Sequence, residues 1–115
     1  MTMKPYILEM GTGIDLHGQD YTKAAKRALE DAIHRNSLLF VRALGIESYD
    51  RLNVDVTVGV PRPESVNKQE VLAVLPVGQG RITLVRGGLE VSPWEDSSDK
   101  VVVANCAVVV SLDVD

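Results

Sequence analysis

Aromatic side chains are scarce in this chain: one Phe, one Trp and three Tyr among 115 residues. The core must therefore be assembled from Val, Leu, Ile and Ala, which fill space well but bury less area apiece. A domain of this size gains when its sheet is covered from both sides, and association with further copies is one way to achieve that. Cysteine is nearly absent too. The lone Cys106 excludes an internal disulfide and fits a reducing compartment. Positive charge is in deficit, with a net charge of −4. Nucleic acid and anionic membranes both need a positive face, so neither is expected as a partner. The longest apolar run, residues 101–110, is interrupted by Asn105 and is too short to cross a bilayer as a helix. The opening Met1-Thr2-Met3-Lys4-Pro5-Tyr6 lacks the long apolar stretch of a signal peptide. These features predict a cytoplasmic protein.

The hydrophobic fraction of 45% and charged fraction of 24% are ordinary for a globular chain, and the length leaves room for one domain over residues 1–115. Residues 6–10 read as a first strand, with Ile7 and Glu9 on one face and Tyr6, Leu8 and Met10 on the other, entering a turn at Gly11-Thr12-Gly13. Asp20 suits a helix N-cap. The helix follows over residues 21–35, where Ala25, Ala28, Leu29, Ala32 and Ile33 form one apolar stripe. Three alanines in that stripe predict close approach to a sheet. Ser37 suits the cap of a second helix that runs to Leu44 and stops at Gly45.

The clearest strand is Leu52–Val60, in which Leu and Val alternate with Asn53, Asp55, Thr57 and Gly59. Pro61 and Pro63 end it. Asn67 followed by Glu70 resembles a capping box for a short helix carrying Val71, Leu72 and Leu75. Residues 81–91 read as a third strand, with Gly87-Gly88 marking a bulge or a close backbone neighbour. A polar loop rich in Ser and Asp leads to a last strand over residues 100–112, apolar on both faces and so expected to be buried on both. The order β-α-β-α-β-β predicts an α+β fold, a mixed sheet with one long helix on one face. No further helix is large enough for the other face, so oligomerisation is expected to cover it.

Function is expected to sit in the 11–19 loop. The run Gly11-Thr12-Gly13-Ile14-Asp15-Leu16-His17-Gly18-Gln19-Asp20 lies between a strand and a helix N-terminus, where loop residues and free amides meet. It is not a dinucleotide fingerprint, because Leu16 stands where glycine is needed, and no Gly-Lys-Ser/Thr follows to make a P-loop. Asp15 and His17 are two apart and share a side in extended chain. A carboxylate beside an imidazole raises its basicity and fixes its tautomer, so His17 is the candidate general acid/base and Asp15 its orienting partner. Gly11, Gly13, Gly18 and Gln19 would line the pocket, with backbone amides near Asp20 receiving an anionic group. The alternative is structural: glycines for a tight turn, Asp15 on local amides and His17 packed there.

Asn105, an amide within an apolar strand, needs hydrogen-bond partners, which a ligand or a subunit interface could supply. Arg86, beside Gly87-Gly88, is a candidate for an anionic ligand or a plain exposed charge. Cys106 reads as a small core residue. Asp15 and His17 supply two metal ligands, and Glu9 a third only if the turn returns to it. No metal and no cofactor are expected.

The spacing Gly11-x-Gly13-x-Asp15-x-His17-Gly18 resembles the GxGxDxHG signature of a small family of conserved hypothetical proteins from bacteria and plants. Val58-Gly59-Val60-Pro61, Val74-Leu75-Pro76, Arg86-Gly87-Gly88-Leu89 and Val103-Ala104-Asn105 extend the resemblance over nearly the whole chain. That family implies no assigned activity. The pattern is also similar to one repeat of cyanuric acid hydrolase-type proteins and to the small subunits of Rid-type imine deaminases. This likeness implies a homotrimer with clefts between subunits. The hydrolases use a Ser-Lys dyad, however, and no Ser-Gly-Gly segment occurs here. The sequence thus leads to an oligomeric binder of a small molecule, or an enzyme with hydrolase-like acid/base chemistry. The alternative is a non-catalytic interaction subunit whose motif stabilises a subunit interface.

Overall fold

The computed structural model describes residues 2–34, 52–75 and 79–114. The expected helix over residues 37–44 lies outside them. The described chain forms strand β1 (Thr2–Asp15), helix α1 (Tyr21–His34), strand β2 (Leu52–Val60), a 3-10 turn (Pro63–Ser65), helix α2 (Lys68–Leu72), and strands β3 (Gln79–Arg86), β4 (Leu89–Val91) and β5 (Val101–Val114). The strands make one mixed sheet in the order β1-β5-β2-β3, with β4 also paired to β5. β2 and β3 are parallel and the other pairings antiparallel. This is the α+β architecture that the element order predicts.

Both caps form where expected. The Asp20 carboxylate accepts the Lys23 amide at 3.0 Å, and the Asn67 side chain accepts the Glu70 amide at 3.2 Å. The core lies between α1 and the sheet. It joins Ala24, Ala25, Ala28, Leu29 and Ala32 of α1 to Val54, Val56, Val58 and Val60 of β2 and to Val102, Ala104, Cys106 and Val108 of β5. Cys106 is thus a core residue, and burial pushes its thiol up to about 12.

Two features depart from the sequence reading. First, Gly11-Thr12-Gly13 is not a turn: β1 runs straight through to Asp15, paired to β5 along its length. Gly11 and Gly13 face the helix, and it sits directly on them. A Cβ on Gly11 would lie 2.3 Å from the Ala28 carbonyl oxygen, and one on Gly13 would lie 2.2 Å from both the Ala24 oxygen and the Ala28 nitrogen. The glycines are required by distance, not by turn geometry. Second, residues 81–91 form two strands. Gly87 and Gly88 carry the chain across the end of β2: the Gly87 amide donates to the Val60 carbonyl at 3.0 Å, and Gly88 adopts φ +64. A side chain on Gly88 would meet the Val103 carbonyl at 2.0 Å. Within the single chain β5 is buried on its helix side. On the other side Asn105 is exposed and Val101, Val103, Ala107 and Val109 are half-buried.

Packing against backbone cannot be relieved by a rotamer change. Gly13→Ala should therefore cost about 3 kcal/mol, at the upper end of overpacking penalties, and lower Tm by more than about 10 °C. Gly18→Ala, with open space around its Cβ but φ +91, should cost only about 1 kcal/mol. Thermal unfolding of the two variants checks this; equal Tm losses would contradict the packing account.

Candidate functional site

Asp15 ends β1 on the helix side of the sheet and is only 2% exposed. A buried carboxylate must be satisfied. One oxygen accepts the Asp20 amide at 2.9 Å, and the other lies 3.8 Å from Lys23 Nζ and 3.9 Å from Arg27 Nη1. Asp15 therefore clamps the loop to the first turns of α1. Between these anchors Gly18 (φ +91) and Gln19 (φ 49) both take left-handed backbone and reverse the chain.

His17 projects outward from this reversal, its side chain 85% exposed. Its charged partner is Asp99, not Asp15: His17 Nδ1 lies 3.5 Å from Asp99 Oδ2. The same carboxylate accepts the Gly18 amide at 3.1 and 3.2 Å. Asp99 is in turn fixed by its own loop, where Ser97 Oγ donates to the Asp99 carbonyl at 2.6 Å. The two-residue spacing of Asp15 and His17 does not place them side by side, because the strand ends at Asp15. From there Asp15 turns toward the helix.

A second carboxylate completes the cluster. Glu90 of β4 pairs with Val102 on one side of β5, as Asp15 does on the other, so the two acids share a row of the sheet. Gln19 Nε2 donates to Glu90 Oε1 at 3.2 Å, and the Tyr21 hydroxyl donates to Glu90 Oε2 at 2.7 Å. Burial, followed by this bond, raises the Tyr21 pKa above its usual value. Asp99, Glu90 and Tyr21 were not singled out by sequence reasoning. The Ser- and Asp-rich composition of the loop before β5 was the available signal for Asp99.

The remaining expected residues lie elsewhere. Gly11 and Asn105 meet at a shallow depression of about 160 Å³ lined also by Met10, Thr12, Asp31 and Cys106. Asn105 is on the sheet face opposite Asp15, paired with Thr12 and Gly59. Arg86 ends β3, exposed, opposite Val60. Among the described residues no hydrogen bond or ion pair joins Arg86 to the loop. Of the amides near Asp20, those of Gly18, Asp20 and Lys23 are taken by the carboxylates of Asp99, Asp15 and Asp20. Among the described residues no three His, Cys, Asp or Glu side chains are grouped to hold a metal ion, and no helix is long and apolar enough to cross a membrane.

Asp15→Ala should destabilise the chain by about 2 kcal/mol, since it leaves the Asp20 amide without its partner and empties a buried position; the half-exposed Lys23 and Arg27 turn to water. His17→Ala, at an exposed position, should change stability by less than about 0.5 kcal/mol. Urea unfolding separates these; a stability loss in His17→Ala as large as that in Asp15→Ala would contradict the division of roles. The buried Cys106 thiol, moved from 9.0 to about 12, should react with iodoacetamide at pH 8 roughly a thousandfold more slowly in the folded chain than in urea. Because the unfolded chain releases this proton first, stability should fall as pH rises between those values. Labelling in the folded state as fast as in urea would refute the burial.

Comparisons with known proteins agree with this architecture. A crystal structure of an FtsZ-like protein of unknown function from Nostoc punctiforme is similar, with 40% identity and a TM-score of 0.86 over 99% of each chain. No curated protein matches. A family model described as Conserved hypothetical protein (Lin0512_fam) matches residues 5–110. The chain belongs to that family of conserved hypothetical proteins.

Proposed function

We propose that this protein binds a small molecule at the 16–20 loop, with His17 as the acid/base group and Asp99 as its orienting partner. The observation that carries the reading is the support given to an exposed imidazole. Asp99 faces Nδ1 and is itself held by the Gly18 amide, while Nε2 is left toward solvent. A carboxylate at Nδ1 favours the tautomer whose Nε2 can accept a proton, and it stabilises the imidazolium that results. In hydrolase-like chemistry Nε2 would take a proton from an attacking water and return it to the leaving group. Asp15, in this reading, positions the loop and does not touch the ligand. Glu90, fixed by Tyr21 and Gln19, forms the neighbouring wall.

A second reading, a non-catalytic interaction subunit, is favoured by a different observation. Gly11, Gly13, Asp15 and Gly18 are each accounted for by packing, loop closure or backbone reversal, so most of the motif has a structural task that needs no chemistry.

The test is a ligand screen of cyclic amides, imines and small acids, read by thermal shift and by the His17 imidazole NMR signals. Binding should move those signals. His17→Ala should abolish turnover, or weaken binding at least tenfold, with an unchanged Tm; Asp99→Asn should give a smaller loss. Undiminished binding and turnover in His17→Ala would overturn the assignment.

A further inference from the structure

The sheet has two unlike faces. The helix side is the core, and the other side carries no covering element among the described residues. Register and alternation place its side chains in rows across the strands. Leu89, Val103 and Ile14 form one row; Gly59, Asn105 and Thr12 the next; then Thr57, Ala107 and Met10; then Asp55, Val109 and Leu8. Met10 is 63% exposed and Leu89 60%, and Leu8, Ile14, Val85 and Val91 are exposed as well. A contiguous apolar face of this extent on a soluble chain marks an interaction surface.

We infer that this face docks a second copy of the chain, with the open faces of the copies turned toward a common rotation axis and Asn105 setting their register. Four observations fit that occupant. A strand residue covers about 16 Å² of sheet plane, so the rows from Leu8 to Val101 present a flat area on the order of 500 Å², to which the relief of the side chains adds. Each partner in a standard interface contributes about 800 Å². The charge is self-compensated: between the Leu8 and Val101 positions the charged side chains of this face are Asp55 and Arg81, and they pair with each other at 3.0 Å. Such a face attracts neither an acidic nor a basic partner, but it meets its own image without repulsion. The outer edge of β1 is closed to strand addition over its last turns. Asp31 accepts the Thr12 amide at 2.9 Å, and Arg27 donates to the Ile14 carbonyl at 2.6 Å. Association on the β1 side of this end of the sheet is thereby directed to the face.

Asn105 supplies the fourth. Its carboxamide stands within the rows with no hydrogen-bond partner among the described residues, between Thr12 and Gly59, which the Gly87-Gly88 backbone covers. An amide is donor and acceptor at once, so copies related by rotation can satisfy each other there. A single polar residue within an apolar interface is a register device.

Light scattering of the wild-type protein from 1 to 200 µM should give an integral multiple of the monomer mass. Met10→Glu and Leu89→Glu each place a carboxylate on the face and should weaken association at least a hundredfold without changing far-UV circular dichroism. Glu30→Gln, on the exposed side of α1, should keep the associated mass, and so should His17→Ala, since this inference does not depend on the loop chemistry. Asn105→Cys provides a readout that needs no dissociation: on oxidation it should form a covalently linked pair of chains. A wild-type monomer at every concentration overturns the inference, including one that instead binds phosphatidylcholine vesicles through the face. So does full association in both charge variants.

Discussion

The seating of α1 on β1, backbone against backbone, is the contact on which the rest of the structure depends. Two glycines remove the side chains that would hold helix and strand apart, and Ala24, Ala28 and Ala32 present the matching thin edge of the helix. The helix axis is thereby fixed low over the sheet margin. That position lets Asp31 and Arg27 reach the free edge of β1. It also sets the start of α1 close above Asp15, so the five residues between strand and helix must reverse sharply. Gly18 and Gln19 do this in left-handed backbone, and three carboxylates accept the amides of Gly18, Asp20 and Lys23. The outward aim of His17 is a consequence of that geometry.

A second close approach completes the cluster. β3 lies outside β2, yet β4 lies in line with β2 against β5, so the chain must step over the end of β2. Gly87 passes 3.3 Å from the Gly59 Cα as measured from its missing Cβ, and Gly88 turns the chain beneath the Val103 carbonyl. The step extends the pairing of β5 on that side to Val101. It also delivers Glu90 to the row of Asp15 and starts the loop that ends at Asp99. Five glycines, Gly11 and Gly13 at one crossing and Gly59, Gly87 and Gly88 at the other, thus act at two crossings, and both crossings feed the same end of the sheet.

What was legible in the sequence is what depends on neighbours a few residues away. The alternation of Leu52–Val60, the alanine-rich stripe, and the caps Asp20 and Asn67 each express a local period or a local hydrogen bond, and each was found in place. Cys106 was readable because its flanking valines announce a core strand. The Gly11-Thr12-Gly13 segment was not readable, because a glycine reports either backbone freedom or the absence of a Cβ, and sequence does not distinguish the two. The His17–Asp99 contact was hidden for another reason: it joins residues brought together only by strand pairing and by the Gly87–Gly88 step. The Asp15–His17 pairing assumed extended chain across a position where the strand stops.

The physical setting of His17 bears on both the loop and the open face. An imidazole 85% exposed and a carboxylate 41% exposed, 3.5 Å apart, are largely screened by water. In that state Asp99 serves to orient His17. Orientation becomes chemistry when water is excluded, because the same pair at the same distance interacts more strongly as the local dielectric falls. The single chain holds no element over the loop among the described residues, so the covering must come from a ligand or from another copy. Leu16 sits between Ile14 and His17 and is exposed like the apolar face that Ile14 belongs to. A copy seated on that face would approach the loop through Leu16, and it would reach His17 at the edge of the contact, where an acid/base group can be screened from bulk water and still admit a small molecule.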